Sequence, residues 1–226
     1  MNLKKTFYNK TVIVIGHTGF KGSWLSLWLK ILGAKVIGIS INIFPGQSHF
    51  KAIKLQNKIQ HIKMDIRNLK LLKKIFKKYQ PDYVFHLAAQ PLVSVGYQSP
   101  SATWMTNVQG SVHLLDSVRR QPSACAVVVV TTDKVYEDLG QGAAHSESDR
   151  LGGHDPYSAS KASVELVVAS YRSAFFSQLG APLIASARAG NVIGGGDWSE
   201  NRLIPDLMRA ISKETTLEVR YPHATR

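Results

Sequence analysis

The sequence contains a single cysteine, Cys125, and no apolar run long enough to span a bilayer. One thiol cannot form an internal disulfide or build a thiolate metal site, so we expect Cys125 to be a small buried hydrophobic residue and no metal to be bound. The first ten residues, MNLKKTFYNK, lack the apolar segment of a signal peptide. These absences predict a protein of the reducing cytoplasm that has no membrane partner.

Acidic residues are scarce in the first third of the chain. Residues 1–80 hold 16 Lys and Arg against one acid, Asp65, whereas residues 81–226 hold 12 Lys and Arg against 14 acids. Much of the excess comes from five lysines within residues 70–79, which alternate with apolar residues at helical spacing and predict an amphipathic helix with a solvated basic face. No groove-reading motif accompanies this helix, so we expect no nucleic-acid partner despite the net charge of +13.

What the sequence does contain is a regular alternation of buried strands and helices. The pattern predicts strands at 11–16, 35–41, 58–65, 81–89, 124–130 and 182–190, and helices at 23–33, 70–79, 102–120 and 157–176. Such alternation indicates an α/β fold, a Rossmann-like doubly wound parallel sheet covered on both faces. Because the pattern breaks after residue 190, we expect a dinucleotide-binding domain over residues 1–190 and the start of an incomplete C-terminal substrate domain over residues 191–226.

A glycine motif follows the first predicted strand. Gly16, Gly19 and Gly22 have the spacing G-x-x-G-x-x-G, which permits a tight turn and lets backbone N–H groups approach a pyrophosphate at a helix N-terminus. Its place between the first strand and the first helix favours a dinucleotide over a structural turn. The second strand ends in ISIN, with neither an acid for a ribose nor an arginine for a 2′-phosphate, which leaves NAD and NADP open. Asp65, after the third strand, is the better placed acid, either for the adenine or as a helix N-cap.

Two polar clusters follow later strands. In YSASK, Tyr157 and Lys161 stand four residues apart on one helix face, where a lysine charge favours a phenolate that can act as a base. The valine-rich strand ends in Thr132, Asp133 and Lys134, at the edge where open α/β sheets bind ligands. Alone, each cluster is explained by an ordinary polar surface. Following a glycine motif in an alternating chain, they indicate one active site.

Together these motifs resemble the extended short-chain dehydrogenases/reductases, and within that superfamily the CDP-glucose 4,6-dehydratases. The resemblance is carried by GHTGFKGSWL, HLAAQPLV, TNVQGSVHLL, TTDKVYED, DPYSASKASVEL and ARAGNVIGGGDW. The Thr-Asp-Lys triplet distinguishes this family from its relatives. The dTDP-glucose dehydratases carry Thr-Asp-Glu at this position, and epimerases and simple reductases usually lack the acid–base pair. The resemblance implies NAD as cofactor, the nucleotide sugar CDP-glucose as substrate, and a homodimer or higher homo-oligomer formed through the helices at 102–120 and 157–176.

The resemblance also implies a mechanism. Tyr157, assisted by Lys161, takes the proton of the sugar 4-hydroxyl while hydride leaves carbon 4, and Thr132 holds the same oxygen. Asp133 then acts as the acid for the departing 6-hydroxyl, and Lys134 serves as the carbon-5 base or stabilises the enolate. Hydride returns to carbon 6, so the expected product is a 4-keto-6-deoxy sugar nucleotide and the cofactor is regenerated.

Further site residues follow from positions that match the family motifs. The resemblance places the sugar nucleotide against Gln90, Thr132, Asn191 and Arg202, and makes Asn107 a structural asparagine. It places the cofactor against the glycine motif, the end of the third strand, HLAAQ and YSASK, that is against Gly16, Thr18, Gly19, Phe20, Lys21, Gly22, Asp65, Ile66, Leu87, Ala88, Ala89, Gln90, Tyr157 and Lys161.

The sequence departs from the family at three positions. An arginine and a serine are more common where Ser94 and Gly96 stand, and a glutamate is common where Ala102 stands. If that arginine holds phosphate or sugar, substrate affinity is expected to be reduced. The family also continues past the last residue of this chain, so we expect a C-terminal truncation and an incomplete cap that exposes apolar surface. Two alternatives stay open: an NAD-dependent nucleotide-sugar 4-epimerase or reductase of the same superfamily, and a catalytically silent fragment that binds NAD or nucleic acid.

Overall fold

The computed structural model describes residues 2–43, 45–121, 125–137, 144–220 and 222. Its strands are β1 Thr11–Ile15, β2 Lys35–Ser40, β3 Gln60–Lys63, β4 Tyr83–His86, β5 Ala126–Val130 and β6 Leu183–Ala187. All six are parallel and form one sheet in the order β3-β2-β1-β4-β5-β6. The order reverses between β1 and β4, as in doubly wound dinucleotide-binding sheets, so the predicted Rossmann-like fold is confirmed.

Helices connect the strands and follow the last one. Their bounds are α1 Leu3–Phe7, α2 Phe20–Ile31, α3 His49–Ala52, α4 Leu69–Tyr79, α5 Val93–Gln98, α6 Pro100–Trp104, α7 Gly110–Val118, α8 Pro156–Phe175 and α9 Leu203–Ser212. A π-helical turn, Met105–Gln109, joins α6 to α7, and short 3₁₀ turns span Leu55–Asn57 and Asp133–Val135.

The structure refines several predicted bounds. Every predicted strand is present but shorter, and the helix predicted at 102–120 consists of α6, the π turn and α7. Helix α2 begins at Phe20 rather than at residue 23, because Gly19 occupies the N-cap position. The pattern missed α1, α3 and α5, which are too short to show a helical period. Residue 124, at the predicted start of β5, and residues 221 and 223–226 of the predicted second domain lie outside the described residues, and the division at residue 190 stays a prediction.

The sheet separates two apolar layers, and β1 contributes to both. Ile13 and Ile15 belong to the larger cluster, which includes buried residues of α4, α7 and α8. Val12 and Val14 point to the opposite face and pack with Leu29 of α2. Because successive side chains of a strand alternate between faces, a strand covered on both sides is a continuous apolar run, which is how TVIVI reads in the sequence.

Two expectations from composition can be compared with the fold. Cys125 is 4% exposed and burial raises the pKa of its thiol to about 11, which confirms it as a buried apolar residue. Helix α4 buries Leu72, Ile75 and Phe76 and exposes four of its lysines, as an amphipathic helix should. Within the described ranges, no helix is both long enough and apolar enough for a membrane crossing.

Candidate active site

The glycine motif forms a backbone cradle between β1 and α2. Gly16 has a φ of +94°, and a Cβ atom there would lie 2.6 Å from the backbone nitrogen of Ala88. A Cβ at Gly22 would lie 2.1 Å from the carbonyl oxygen of Gly16. Gly19 is the N-cap of α2, and no side chain in the described part of the chain caps that helix. The first-turn amides of α2 are therefore left for an external acceptor, which is the geometry that binds a pyrophosphate.

The end of β2 is tied to the same loop. The Thr18 hydroxyl donates to the carbonyl oxygen of Asn42 across 2.8 Å, and the Thr18 amide donates to the Ser40 hydroxyl across 3.3 Å. Ser40 is buried and Asn42 is exposed. The polar residues at the end of β2 therefore support the glycine loop. In related motifs an acid at this strand end faces a ribose instead.

Asp65 follows β3 and is held by its neighbour Arg67. Its carboxylate accepts the Arg67 amide across 2.9 Å and the Arg67 Nε and Nη2 across 2.9 and 2.6 Å, and these side-chain bonds hold the Asp65 pKa below its usual value. The helix-cap alternative is wrong, because Asn68 caps α4 by accepting the Leu71 amide. Ile66 is buried in the larger core cluster, beneath this surface.

Helix α8 begins with a capping arrangement that places Tyr157. The Asp155 carboxylate accepts the amides of Tyr157 and Ser158 across 2.9 and 3.0 Å, and Pro156 occupies the first helical position. Lys161 lies one turn further on, and its ammonium donates to the carbonyl oxygen of Val130 across 3.0 Å. The two residues of the YSASK motif are thus fixed against the end of β5.

The Thr-Asp-Lys triplet lies one residue after β5, where Thr132 is the N-cap of the 3₁₀ turn Asp133–Val135. The Thr132 hydroxyl donates to Asp133 Oδ1 across 3.0 Å and accepts the Lys134 amide across 3.4 Å. The Asp133 amide donates to the carbonyl oxygen of Ala189 across 3.1 Å, and a Cβ at Gly190 would lie 3.3 Å from Asp133 Oδ2. The triplet therefore sits between β5 and the segment that follows β6.

Tyr157 and the triplet are electrostatically coupled. Burial raises the pKa of the Tyr157 phenol, whereas hydrogen bonding by the Thr132 side chain and the positive charge of Arg202 act to lower it. The charge of Asp133 acts in the same direction as burial. The structure thus brings together Tyr157, Thr132, Asp133 and Arg202, which come from three separate parts of the chain.

The effect of Lys161 on Tyr157 differs from the sequence-based expectation. We expected the lysine charge to favour the phenolate, but the net direction of the Tyr157 pKa is upward and Arg202 is the cation that opposes it. Lys161 is 6% exposed, and burial lowers its pKa to about 8, with the charge of Lys21 acting in the same direction and Glu165 opposing it. Its ammonium is directed to a backbone carbonyl of β5 rather than to the phenol.

Three cationic side chains, Lys21, Lys161 and Arg202, influence one another beside the glycine loop. Lys21, in the first turn of α2, has its pKa lowered by burial and by the charge of Arg202, and its own charge acts on Lys161. Such a cluster of like charges in a cleft raises the local concentration of anions and favours bound phosphate groups. The arrangement suits the phosphates of a dinucleotide or of a nucleotide sugar.

The segment after β6 lies over the start of α2. Trp24 donates from its indole nitrogen to the carbonyl oxygen of Gly195 across 3.0 Å, and Arg202 forms an ion pair with Asp197 at 3.4 Å. Asn191 is exposed next to Gly190. Between the segment and the helix is a cleft of about 340 Å³, lined by Phe20, Lys21, Trp24, Val192, Ile193 and Gly194.

The residues of the HLAAQ stretch pack partly against the protein core and are not all exposed to the cleft. Leu87 packs against the smaller core cluster and Ala88 against the larger one, while Ala89 is half-buried. The Gln90 amide nitrogen donates to Thr103 Oγ1 across 2.9 Å, and its oxygen accepts the Leu92 amide across 2.6 Å. Both ends of the Gln90 side chain are therefore engaged within the protein.

The π turn holds Gln90 and α8 together through Asn107. The Asn107 side chain accepts the Gln90 backbone amide across 2.8 Å and donates to the Gln90 carbonyl and to Ser160 Oγ across 3.2 and 2.9 Å. Asn107 is 1% exposed, as a structural asparagine would be. A π turn inside a helix is frequent at functional sites, and here it aims one side chain at two elements of the cleft.

Sequence reasoning missed some residues that shape this site. Asp155 carried a readable signal, because an aspartate before proline is typical of an N-cap. The buried Glu165 and the partly exposed Arg188 form an ion pair at 3.2 Å, and neither had a local signal. The described residues hold no group of three or more His, Cys, Asp or Glu side chains that could bind a metal ion.

Comparison with known proteins assigns a family. A family model described as GDP-mannose 4,6 dehydratase matches residues 13–185. The chain belongs to that family. It is 43% identical to the CDP-glucose 4,6-dehydratase of Salmonella typhimurium over 228 residues, which cover 99% of this chain and 63% of that protein. Family membership confirms the resemblance drawn from the motifs.

Solved structures of related enzymes have the same fold. An epimerase from Methanothermobacter thermautotrophicus superposes with a TM-score of 0.83 at 26% identity, covering 96% of this chain and 62% of that one. A dTDP-glucose 4,6-dehydratase from Bacillus anthracis, solved in complex with NAD, superposes with a TM-score of 0.76 at 26% identity, covering 92% and 63%. The chain spans less than two thirds of the length of each of these relatives.

Proposed function

We propose that the chain is the dinucleotide-binding part of an NAD-dependent nucleotide-sugar 4,6-dehydratase that converts CDP-glucose to CDP-4-keto-6-deoxyglucose. The observation that carries the proposal is that the acid Asp133, in the turn after β5, and the phenol Tyr157, at the start of α8, meet at one sheet edge with Thr132 between them as a hydrogen-bonding group. A site that only oxidised or epimerised carbon 4 would need Tyr157 but would not need the acid–base pair Asp133 and Lys134. The 43% identity to a CDP-glucose 4,6-dehydratase supports the same substrate class.

The cradle fits a dinucleotide such as NAD. Its floor is backbone only, because Cβ atoms at Gly16 and Gly22 would collide with neighbouring backbone, and the uncapped start of α2 offers amides to a pyrophosphate. Lys21 adds a positive charge at the same helix end. When bound, NAD supplies the hydride acceptor for carbon 4 and the hydride donor for carbon 6.

Tyr157 takes the proton of the sugar 4-hydroxyl in this proposal. Its buried phenol has a raised pKa, and the Thr132 hydroxyl and the Arg202 charge stabilise the phenolate that the step requires. Thr132 orients the sugar oxygen from the β5 side. Lys161, whose ammonium is bonded to the Val130 carbonyl oxygen, holds the end of β5 one helical turn beyond Tyr157.

Asp133 and Lys134 carry the elimination of water. Asp133 donates a proton to the departing 6-hydroxyl, which leaves as water, and Lys134 accepts the carbon-5 proton or stabilises the enolate. Carbon 5 takes a proton back when the 4-keto-6-deoxy product forms, so the net change is the loss of one water. Both belong to the turn that Thr132 caps, so the groups for oxidation and for dehydration are held by one short segment. That proximity lets the same bound sugar meet both sets of groups without moving through the cleft.

Arg202, Lys21 and Asn191 face the proposed sugar nucleotide from the other side. The charges of Arg202 and Lys21 are close enough to affect each other, and a substrate diphosphate would relieve that repulsion. Gln90 contributes by fixing the cleft wall, since its side chain is bonded to Thr103 and Leu92. The division into two domains, the homo-oligomer and the cytoplasmic location stay predictions.

Mass spectrometry after incubation with NAD and either CDP-glucose or dTDP-glucose tests the proposal. We expect CDP-glucose to yield a product lighter by one water, while dTDP-glucose stays unchanged. A 4-epimerase leaves the mass of the sugar nucleotide unaltered, so an isomer of equal mass would identify the alternative function. The Tyr157→Phe variant serves as the control and should give no product.

A further inference from the structure

Glu165 is a buried carboxylate on α8 that the proposed reaction does not use. It is 5% exposed and lies in the middle of the helix, one turn beyond Lys161. A carboxylate taken out of water needs compensating hydrogen bonds or an ion pair, since its charged form is otherwise strongly disfavoured. The nature of those partners shows what the residue does.

The Glu165 carboxylate joins α8 to two strands. One oxygen accepts a hydrogen bond from the Thr131 hydroxyl, at the residue that follows β5. The other accepts from the Ser186 hydroxyl across 2.7 Å and from Arg188 Nη2 across 3.2 Å, on and just after β6. Together these bonds hold its pKa below the usual value in spite of burial, so the group is ionised in the folded protein.

The joined strand ends lead directly into the site. Thr131 precedes the Thr132–Lys134 turn, and its amide donates to the carbonyl oxygen of Ala187 across 2.9 Å. Arg188 precedes Ala189, whose carbonyl oxygen accepts the Asp133 amide. A shift of either strand end relative to α8 would therefore move the triplet relative to Tyr157.

Arg188 extends the network to the far side of the triplet. Its Nη1 donates to the Tyr136 hydroxyl and to the carbonyl oxygen of Glu147, each across 3.0 Å, and its guanidinium lies 5.0 Å from the centre of the Tyr136 ring. Thr131 stands immediately before the triplet and Tyr136 shortly after it. The Glu165–Arg188 pair thus holds the turn at both of its ends.

Glu165 also balances the charge on Lys161. The charged and titratable groups that face Lys161 are Lys21 on α2, His86 on β4 and Glu165 on its own helix. Lys21 and burial favour loss of the lysine proton, and Glu165 is the group that opposes them. Removing the Glu165 charge should therefore make the Lys161 ammonium easier to deprotonate.

We propose that Glu165 is a positioning residue whose carboxylate holds the ends of β5 and β6 against α8, so that the Thr132–Lys134 turn keeps its place beside Tyr157 and Lys161. The part of this proposal that concerns turnover rests on the proposed dehydratase function. The part that concerns the placement of the turn does not.

Two variants and a matched control test the proposal. Glu165→Gln removes the charge at nearly constant volume, and Glu165→Asp keeps the charge but shortens the side chain. The control Asp116→Asn removes a carboxylate from α7 that pairs with Lys73 at 2.9 Å and Arg119 at 2.6 Å, away from the cleft. Amide hydrogen exchange over residues 131–135 and the pH profile of kcat with CDP-glucose are measured for all four proteins.

For Glu165→Gln we expect amide exchange at residues 131–135 to accelerate at least about 10-fold, with little change over α4. We expect kcat to fall between about 10-fold and 100-fold with a much smaller change in KM, since misplacement affects the reacting geometry more than binding. The alkaline limb of the pH profile should move to lower pH, because Lys161 loses the group that retains its proton. Glu165→Asp should leave that limb in place.

A purely structural role would give a different result. If Glu165→Gln and Asp116→Asn accelerate exchange alike, or if neither the exchange at residues 131–135 nor the pH profile responds to Glu165→Gln, the proposal is wrong. Should the Gln variant fail to fold, Glu165→Asp decides, and wild-type exchange at residues 131–135 in that variant overturns the proposal. If the unmodified chain makes no product, the proposed function fails, while the exchange measurement still decides the placement of the turn.

Discussion

The ammonium of Lys161 donates a hydrogen bond of 3.0 Å to the carbonyl oxygen of Val130, the last residue of β5. This bond ties the second turn of α8 to the strand whose continuation is the Thr-Asp-Lys triplet. It also places a positive charge where burial and Lys21 both disfavour it, which lowers the Lys161 pKa from 10.5 to about 8. The stability of the fold should therefore carry a signature of this residue at alkaline pH.

Between pH 8 and pH 10.5, Lys161 should make the protein more stable as the pH rises. In that window the unfolded chain still holds the lysine proton and the folded chain has begun to lose it, so the free energy of unfolding gains up to about 1.4 kcal/mol per pH unit from this group. Urea unfolding of the wild type and of Lys161→Met at pH 8 and pH 9.5 measures the effect. Parallel changes in the two proteins would contradict it.

His86 should destabilise the protein at acidic pH. It is 2% exposed on β4, and burial lowers its pKa from 6.5 to about 3. Below pH 6.5 the unfolded chain therefore binds a proton at this histidine that the folded chain does not bind. At pH 5 this costs about 2 kcal/mol relative to pH 7. Replacing it as His86→Gln, which can still bond to Ser111, should remove that loss, whereas His154→Gln at an exposed position should not.

Gly22→Ala should abolish dinucleotide binding. Its Cβ would lie 2.1 Å from the carbonyl oxygen of Gly16, so the loop must move and the start of α2 loses its cradle. We expect the Kd for NAD, measured by calorimetry, to rise at least about 100-fold. Gly46→Ala is the matched control, since nothing lies within 4 Å of an added Cβ there, and its affinity should equal that of the wild type.

Asn107→Ala should destabilise the protein although it touches neither proposed ligand. The substitution removes three hydrogen bonds and leaves the Gln90 backbone amide and carbonyl without their partner in a part-buried site. We expect the free energy of unfolding to fall by about 2–3 kcal/mol. The exposed Asn57→Ala in the same assay should change it by less than about 0.5 kcal/mol.

Asp133→Asn should separate oxidation from loss of water. The amide keeps the hydrogen-bonding shape beside Thr132 but cannot donate a carboxylic proton to the departing 6-hydroxyl. We expect formation of the dehydrated product to slow by about 100-fold to 10,000-fold, with reduced cofactor accumulating in the meantime. Tyr157→Phe in parallel should show neither reduced cofactor nor product. Equal loss of both signals in Asp133→Asn would contradict the separate role of Asp133.

The sequence was most informative where a local pattern has one structural meaning. Buried strands such as TVIVI and the glycines of GHTGFKG led to the correct sheet and to the cradle, because a strand covered on both faces must be apolar and Gly16 and Gly22 tolerate no Cβ. Contacts between distant segments were not readable. Asn107 of the π turn meets Gln90 and Ser160, and Arg202 acts on Tyr157, only once the chain has folded.

The most direct test of the two-part site is the fate of a label on the substrate. CDP-glucose carrying deuterium at carbon 4 is incubated with the chain and NAD, and the product is examined by mass spectrometry and NMR. The account predicts a product that has lost one water and carries the deuterium at carbon 6, because oxidation at carbon 4 and hydride return to carbon 6 occur in one site around Tyr157 and Asp133. A product of unchanged mass with the label still at carbon 4, or no product at all, would contradict it.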